Sequence, residues 1–152
     1  MSDAEIPFEV SATLDSLTEF ARSLAGNAAS YERTTIAEHP IAVVDIDPVE
    51  KHSCPINIIG EQFLIVTVGS VGGRWELSYS NDDVNLAKQI IAAVVAGDVT
   101  ERSAFGRSRV TVILEDRTSR HETGFDGCVS LLVPQPGWTR WGRLTTYLPY
   151  SS

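Results

Sequence analysis

The stretch Ser80 to Gly97, SNDDVNLAKQIIAAVVAG, decides how the chain is read, together with the change of rhythm that follows it. Val84, Ala87, Ile91, Val94 and Val95 recur at helical spacing, and Ile90 widens the stripe, so one face of a helix is apolar. Ser80 with Asp83 three residues later forms an approximate capping box, the acids of the first turn suit the positive end of the helix dipole, and Gly97 supplies the stop. From Asp98 onward the period is two. Val99 to Phe105, Arg109 to Leu114 and Ser119 to Thr123 read as successive strands of an antiparallel meander.

Upstream of the helix, Gln62 to Val68 and Arg74 to Tyr79 read as a β-hairpin, with Gly69-Ser70-Val71-Gly72-Gly73 as the permissive turn between them. Ile41 to Asp47 is a β-branched run between prolines and reads as a strand. Ser30 to Ile36 reads as a polar connection, and Val49 to Cys54 as a surface loop bracketed by Pro48 and Pro55. Nearer the amino end, Ser11 caps a helix over 11–26 carrying Leu14, Leu17, Phe20, Ala21 and Leu24, after a flexible lead-in over 1–10. Thr139 to Leu148 closes the chain as a final strand. The expected architecture is one α+β domain over 1–152: a largely antiparallel sheet with two amphipathic helices packed on one face.

With 152 residues, 43% hydrophobic and 21% charged, the chain is long enough and apolar enough to bury one core without disulfides or metals. Cys54 and Cys128 lie far apart without metal or redox spacing and read as idle thiols. No window reaches the ~20 apolar residues of a membrane span, and no signal or transit pattern is readable, so a cytoplasmic protein away from membranes is expected. The net charge of −8 argues against binding nucleic acid. That charge is uneven: residues 1–100 hold 15 acidic and 5 basic side chains, residues 101–152 hold 5 and 7. Arg102, Arg107, Arg109, Arg117 and Arg120 gather in the later strands, where most are expected to pair with the acids of the same fold.

Chemical constellations are sparse. Asp45, Asp47, Glu50, His52 and Cys54 place potential metal ligands within ten residues, with Asp45, Asp47 and His52 the best of them. The set mixes hard carboxylates with a soft thiol, and a solvated strand face is the preferred reading. The glycine-rich run Gly69 to Gly73 is followed by neither the lysine nor the helix of a phosphate-binding loop. His121 and Glu122, with Asp126 nearby, form a grouping that a hydrolase can use and that polar residues at a sheet edge also produce. No nucleophile motif surrounds any serine, cysteine or histidine. No cofactor is implied.

The most distinctive composition lies in Trp138-Thr139-Arg140-Trp141-Gly142-Arg143, followed by Tyr147. Tryptophan, tyrosine and arginine are the residues enriched at binding hot spots. In an extended strand Trp141, Arg143 and Tyr147 share one face while Trp138, Arg140, Leu144 and Leu148 share the other. Trp138, Arg140, Trp141, Arg143 and Tyr147 are therefore the candidate partner-binding residues. An arginine stacked on an aromatic ring to shield an edge strand is the competing reading.

The runs Gly73 to Leu77, Ala93 to Gly97, Gly106 to Val110, Glu122 to Gly127 and Pro136 to Trp138 together resemble a group of small uncharacterised bacterial α+β proteins, over about residues 62–150. In general character these are similar to the immunity proteins of bacterial toxin systems. The resemblance implies no catalytic residue. The missing catalytic motifs, the acidic surplus and the aromatic-arginine strand point to a non-enzymatic protein-binding module, and the analogy points to an immunity protein that meets a basic toxin domain. A small metal-dependent hydrolase and a homodimer formed through the final strand are the alternatives.

Overall fold

The computed structural model describes residues 5–36, 38–127 and 132–150. In chain order the elements are α1 (Phe8–Ala25), β1 (Ala29–Ile36), β2 (Ile41–Pro48), β3 (Ile56–Gly60), β4 (Leu64–Val68), β5 (Arg74–Leu77), α2 (Asn81–Val95), β6 (Val99–Ala104), β7 (Arg107–Ile113), β8 (Ser119–Phe125), α3 (Trp138–Trp141) and β9 (Arg143–Thr146). The class is α+β, and every strand pairing is antiparallel. The strands divide between a five-stranded sheet in the order β1-β2-β3-β4-β5 and a four-stranded sheet in the order β8-β7-β6-β9.

Local chemistry accounts for most boundaries. Ser80 caps α2 by accepting from the Asp83 amide at 3.2 Å, and Gly97 takes the positive φ of 81° that lets the chain leave it. The first helix starts at Phe8, because Pro7 holds an extended backbone at the N-cap and fits the first turn without needing an amide donor. The lead-in is thus shorter than expected. Ser11 lies inside α1, where its hydroxyl accepts from Arg33 of β1 at 2.8 Å.

Two strands lie where none was expected. Ser30 to Ile36 is almost wholly exposed, so it lacks the apolar alternation by which strands are recognised; it is the edge strand, held by its register with β2 and by the Arg33–Asp15 ion pair to α1. Ile56 to Gly60 is short but central, pairing with β2 and β4. The expected final strand is interrupted at its start: Gly137 at φ 78° leads into a single helical turn over Trp138–Trp141, and only Arg143–Thr146 pairs, with β6. The face alternation expected from Trp138 onward therefore begins only at Arg143.

One core joins both sheets. Leu14, Leu17 and Ala21 of α1 and Ile90, Ile91 and Val94 of α2 are fully buried against Val44, Ile46, Ile58 and Val66 of the first sheet, and the same cluster continues into Val99, Val110 and Val112 of the second. Gly60 lets α1 approach, since a Cβ there would meet Val10 and Leu14 at 2.7 and 2.9 Å. The β4–β5 turn is the tightest junction. Gly73, at φ 75°, has the Val68 carbonyl and the Val110 side chain where a Cβ would go.

Gly73→Ala is expected to destabilise the fold by about 2–4 kcal/mol in urea denaturation. Gly26→Ala, at φ 53° with open space around it, is expected to cost about 1 kcal/mol. Equal losses would show that backbone conformation alone, and not the close approach of the two sheets, makes glycine necessary at 73.

Candidate protein-binding surface

Strand alternation puts Glu101 on the same side of β6 as Val99, which is the core side, and the residue is only 3% exposed. A carboxylate there requires donors, and the fold delivers them from both sheets. Its Oε1 accepts from the Tyr147 hydroxyl at 2.6 Å and the Ser70 amide at 3.2 Å; its Oε2 accepts from the Ser108 hydroxyl at 2.6 Å and the Ser70 hydroxyl at 2.9 Å. Ser108 in turn accepts from the Gly72 amide at 2.5 Å. Burial alone would push the Glu101 carboxyl up, but the hydrogen bonds from Ser108, Tyr147 and Ser70 outweigh it and hold the group below its ordinary 4.5.

Cys54 lies beside this cluster with no exposed surface. Burial pushes its thiol up to about 12, and the Glu101 charge adds to the effect. Tyr150 donates to the Cys54 carbonyl at 2.5 Å, and burial, then the neighbouring thiol, raise its hydroxyl as well. A carboxylate whose lone pairs are occupied and a thiol held protonated are neither general base nor nucleophile. Their work is mechanical: the cluster fastens the β4–β5 turn of one sheet to β6, β7 and the segment after β9 of the other.

The weaker alternative, a metal site, finds its candidate ligands not brought together. Asp45 sits on the outer face of β2 and accepts from Asn57 at 2.6 Å, His52 is exposed in the loop, and Cys54 turns into the core. Among the described residues no group of three or more histidine, cysteine, aspartate or glutamate side chains could hold a metal ion. His121 and Glu122 are neighbours on β8 and so face opposite sides of it, while Asp126 lies beyond the strand end, about 17 Å further along the strand from His121. Cys128 lies outside the described residues.

The outer face of the second sheet is a different matter. Register places Arg102 of β6 directly opposite Arg109 of β7, with Leu144 of β9 on one flank and Thr123 of β8 on the other. One row further along, Ala104, Arg107 and Phe125 are aligned, with the Arg107 guanidinium 5.4 Å from the Phe125 ring centre. None of these paired residues is a carboxylate. Arg102 donates to the Gly142 carbonyl at 2.9 Å and Arg109 to the Thr123 hydroxyl at 3.0 Å; among the described residues neither meets an acid, contrary to the pairing expected of them. Like charges directly opposite one another in a sheet are destabilising, so this pair is held at a cost to the fold.

Apolar side chains gather at the same end. The Gln135 side chain clamps the backbone of Phe105 through bonds of 3.2 and 3.0 Å, and Arg107 donates to the Val133 carbonyl at 2.8 Å. These contacts tie the segment of Val133 and Gln135, where Leu132 and Val133 are exposed, to the end of the sheet that carries exposed Phe105 and Phe125. Trp141 gives its indole N–H to the Pro136 carbonyl at 2.8 Å and leaves the residue 59% exposed. Of the candidate binding residues, Arg140, Trp141 and Arg143 are exposed here, Trp138 is half-buried, and Tyr147 is turned inward to Glu101. Arg102, Arg109 and Phe105 escaped the sequence reading as site residues. The signal available was parity, since Arg102 alternates out of phase with Val99 and Arg109 with Val110.

No family model, no curated protein and no solved structure matches this chain.

Glu101→Gln is expected to lower stability by about 2–4 kcal/mol at neutral pH, because a buried amide cannot accept from all of the hydroxyls and amides that face it. A carboxyl depressed in the native state contributes stability above its ordinary 4.5 and loses it as pH falls through the native value. The gap between wild type and variant should therefore narrow on acidification below about pH 4.5, measured by urea unfolding across pH. In the native protein Cys54 should resist iodoacetamide at pH 8 and react on unfolding, as read by peptide mapping.

Proposed function

We propose that this is a non-enzymatic protein-binding protein whose partner docks on the outer face and end of the second sheet. The observation that carries the reading is the Arg102–Arg109 pair, opposed across two strands without a carboxylate among the described residues, flanked by exposed Leu144, with exposed Phe125 one row further along and exposed Trp141 next in the chain to the Gly142 carbonyl that Arg102 holds. Arginine and tryptophan are residues enriched at hot spots, and Arg forks suit carboxylate partners. The partner's contact surface accordingly carries acidic groups opposite the arginine pair and apolar groups around them.

An immunity protein that covers a toxin domain is a role of this kind, and the toxin it fits presents an acidic, apolar docking surface. A basic toxin domain, the partner that the net charge favours, would have to meet the acidic first half of the chain, as at Glu32, Asp45 and Asp47, and not the arginine face.

The test is affinity capture from native-host lysate with wild type, an Arg102→Glu/Arg109→Glu variant and a Trp141→Ala variant, followed by titration of any purified partner. A specific partner held by wild type should bind at least about 10-fold more weakly to either variant, and its affinity should fall with salt. A partner that binds all of them alike, while each stays folded, sinks this assignment of the surface.

A further inference from the structure

The first sheet has a second face, on which neither α1 nor α2 packs. Helices α1 and α2 pack on the side of Val44, Ile58 and Val66, so alternate residues point away from the core. Register aligns those residues into rows. One row crosses all the strands as Thr34, Val43, Ile59, Ile65 and Glu76; the next crosses them as Glu32, Asp45, Asn57, Thr67 and Arg74. Beyond the first row, Ile36 stands opposite Ile41, and Phe63 precedes Ile65 by two residues on the same face. Ile65 is 2% exposed yet lies outside the core cluster, whereas Ile36 and Phe63 are 42% and 43% exposed. An outward sheet face normally alternates to polar residues; here Ile36, Ile41, Val43, Ile59, Phe63 and Ile65 make it apolar.

We propose that a second copy of this chain covers this face, packing sheet on sheet about a two-fold axis parallel to β3. The rows are self-complementary under that operation. Rotation about β3 leaves position along the strands unchanged and exchanges β1 with β5, so Ile59 meets its own copy and Glu32 meets Arg74. Glu32 at one end of the polar row and Arg74 at the other are exposed and without an ion-pair partner among the described residues, and Asp45 between them is already bonded to Asn57. Each dimer thus gains the Glu32–Arg74 contact twice, at the edges of an apolar centre.

Five strands of this length cover roughly 400 Å² per copy from strand spacing and rise, below a standard interface, so the dimer is a weak one that forms with rising concentration. Sedimentation velocity of the full chain from low micromolar to near-millimolar concentration reads it directly. Wild type should shift from monomer to dimer, Ile59→Lys should remain monomeric, and Arg74→Glu should raise the dissociation constant at least about 10-fold. The double variant Glu32→Arg/Arg74→Glu should recover most of the wild-type affinity, since both pairs are restored with reversed sign. The charge variants sit at exposed positions and keep the test alive should Ile59→Lys fail to fold. Wild type that stays monomeric throughout overturns the proposal. So does a dimer indifferent to these changes and broken by Trp141→Ala, or a double variant no tighter than the single ones.

Discussion

A carboxylate withdrawn from water holds the two sheets in one arrangement. Glu101 cannot be buried unless Ser70, Ser108 and Tyr147 all reach it, and each comes from a different part of the fold: the β4–β5 turn, β7 and the segment after β9. Hydrophobic contact would hold the sheets together in several relative positions, because it has no direction. Hydrogen bonds to one fixed pair of oxygens do have direction, and the glycines at 72 and 73 let the turn come close enough to make them. The arrangement of the outer faces follows from this, since the sheets that carry them are locked at their junction.

That junction separates charge as well as structure. The acids of the first sheet, Glu32, Asp45 and Asp47, and the arginines of the second, Arg102 and Arg109, stand on outer faces of different sheets. Like charges opposed within each face work against the sheet that bears them: Glu32 faces Asp45, and Arg102 faces Arg109. Such pairs contribute nothing to folding.

Much of the fold was legible because its signals are local. The helical period and the cap at Ser80, the glycine turn at 69–73 and the two-residue period after Asp98 all lie within short windows. What escaped depends on neighbours distant in sequence. The edge strand β1 buries almost nothing and is a strand only because β2 pairs with it. The run after Gly137 has strand-like composition, yet one positive-φ glycine turns its first residues into a helical turn. The candidate site divided in the same way. Arg140, Trp141 and Arg143 stood out by composition, whereas Arg102 and Arg109 become a pair only through register. Tyr147 looked like a surface aromatic because its hydrogen-bond acceptor lies 46 residues away.

The pairing of β6 with β9 also bears on the order in which the molecule assembles. The strands β6, β7 and β8 follow one another by short turns, and the hairpins of the first sheet are equally local, so each can form early. Strand β9 must instead return across the whole β7–β8 hairpin and α3 before it meets β6, and closing a loop of that length carries an entropic barrier. Until it does, Glu101 lacks the hydroxyl of Tyr147 and remains hydrated. Full satisfaction of that carboxylate therefore depends on the longest-range strand pairing in the second sheet.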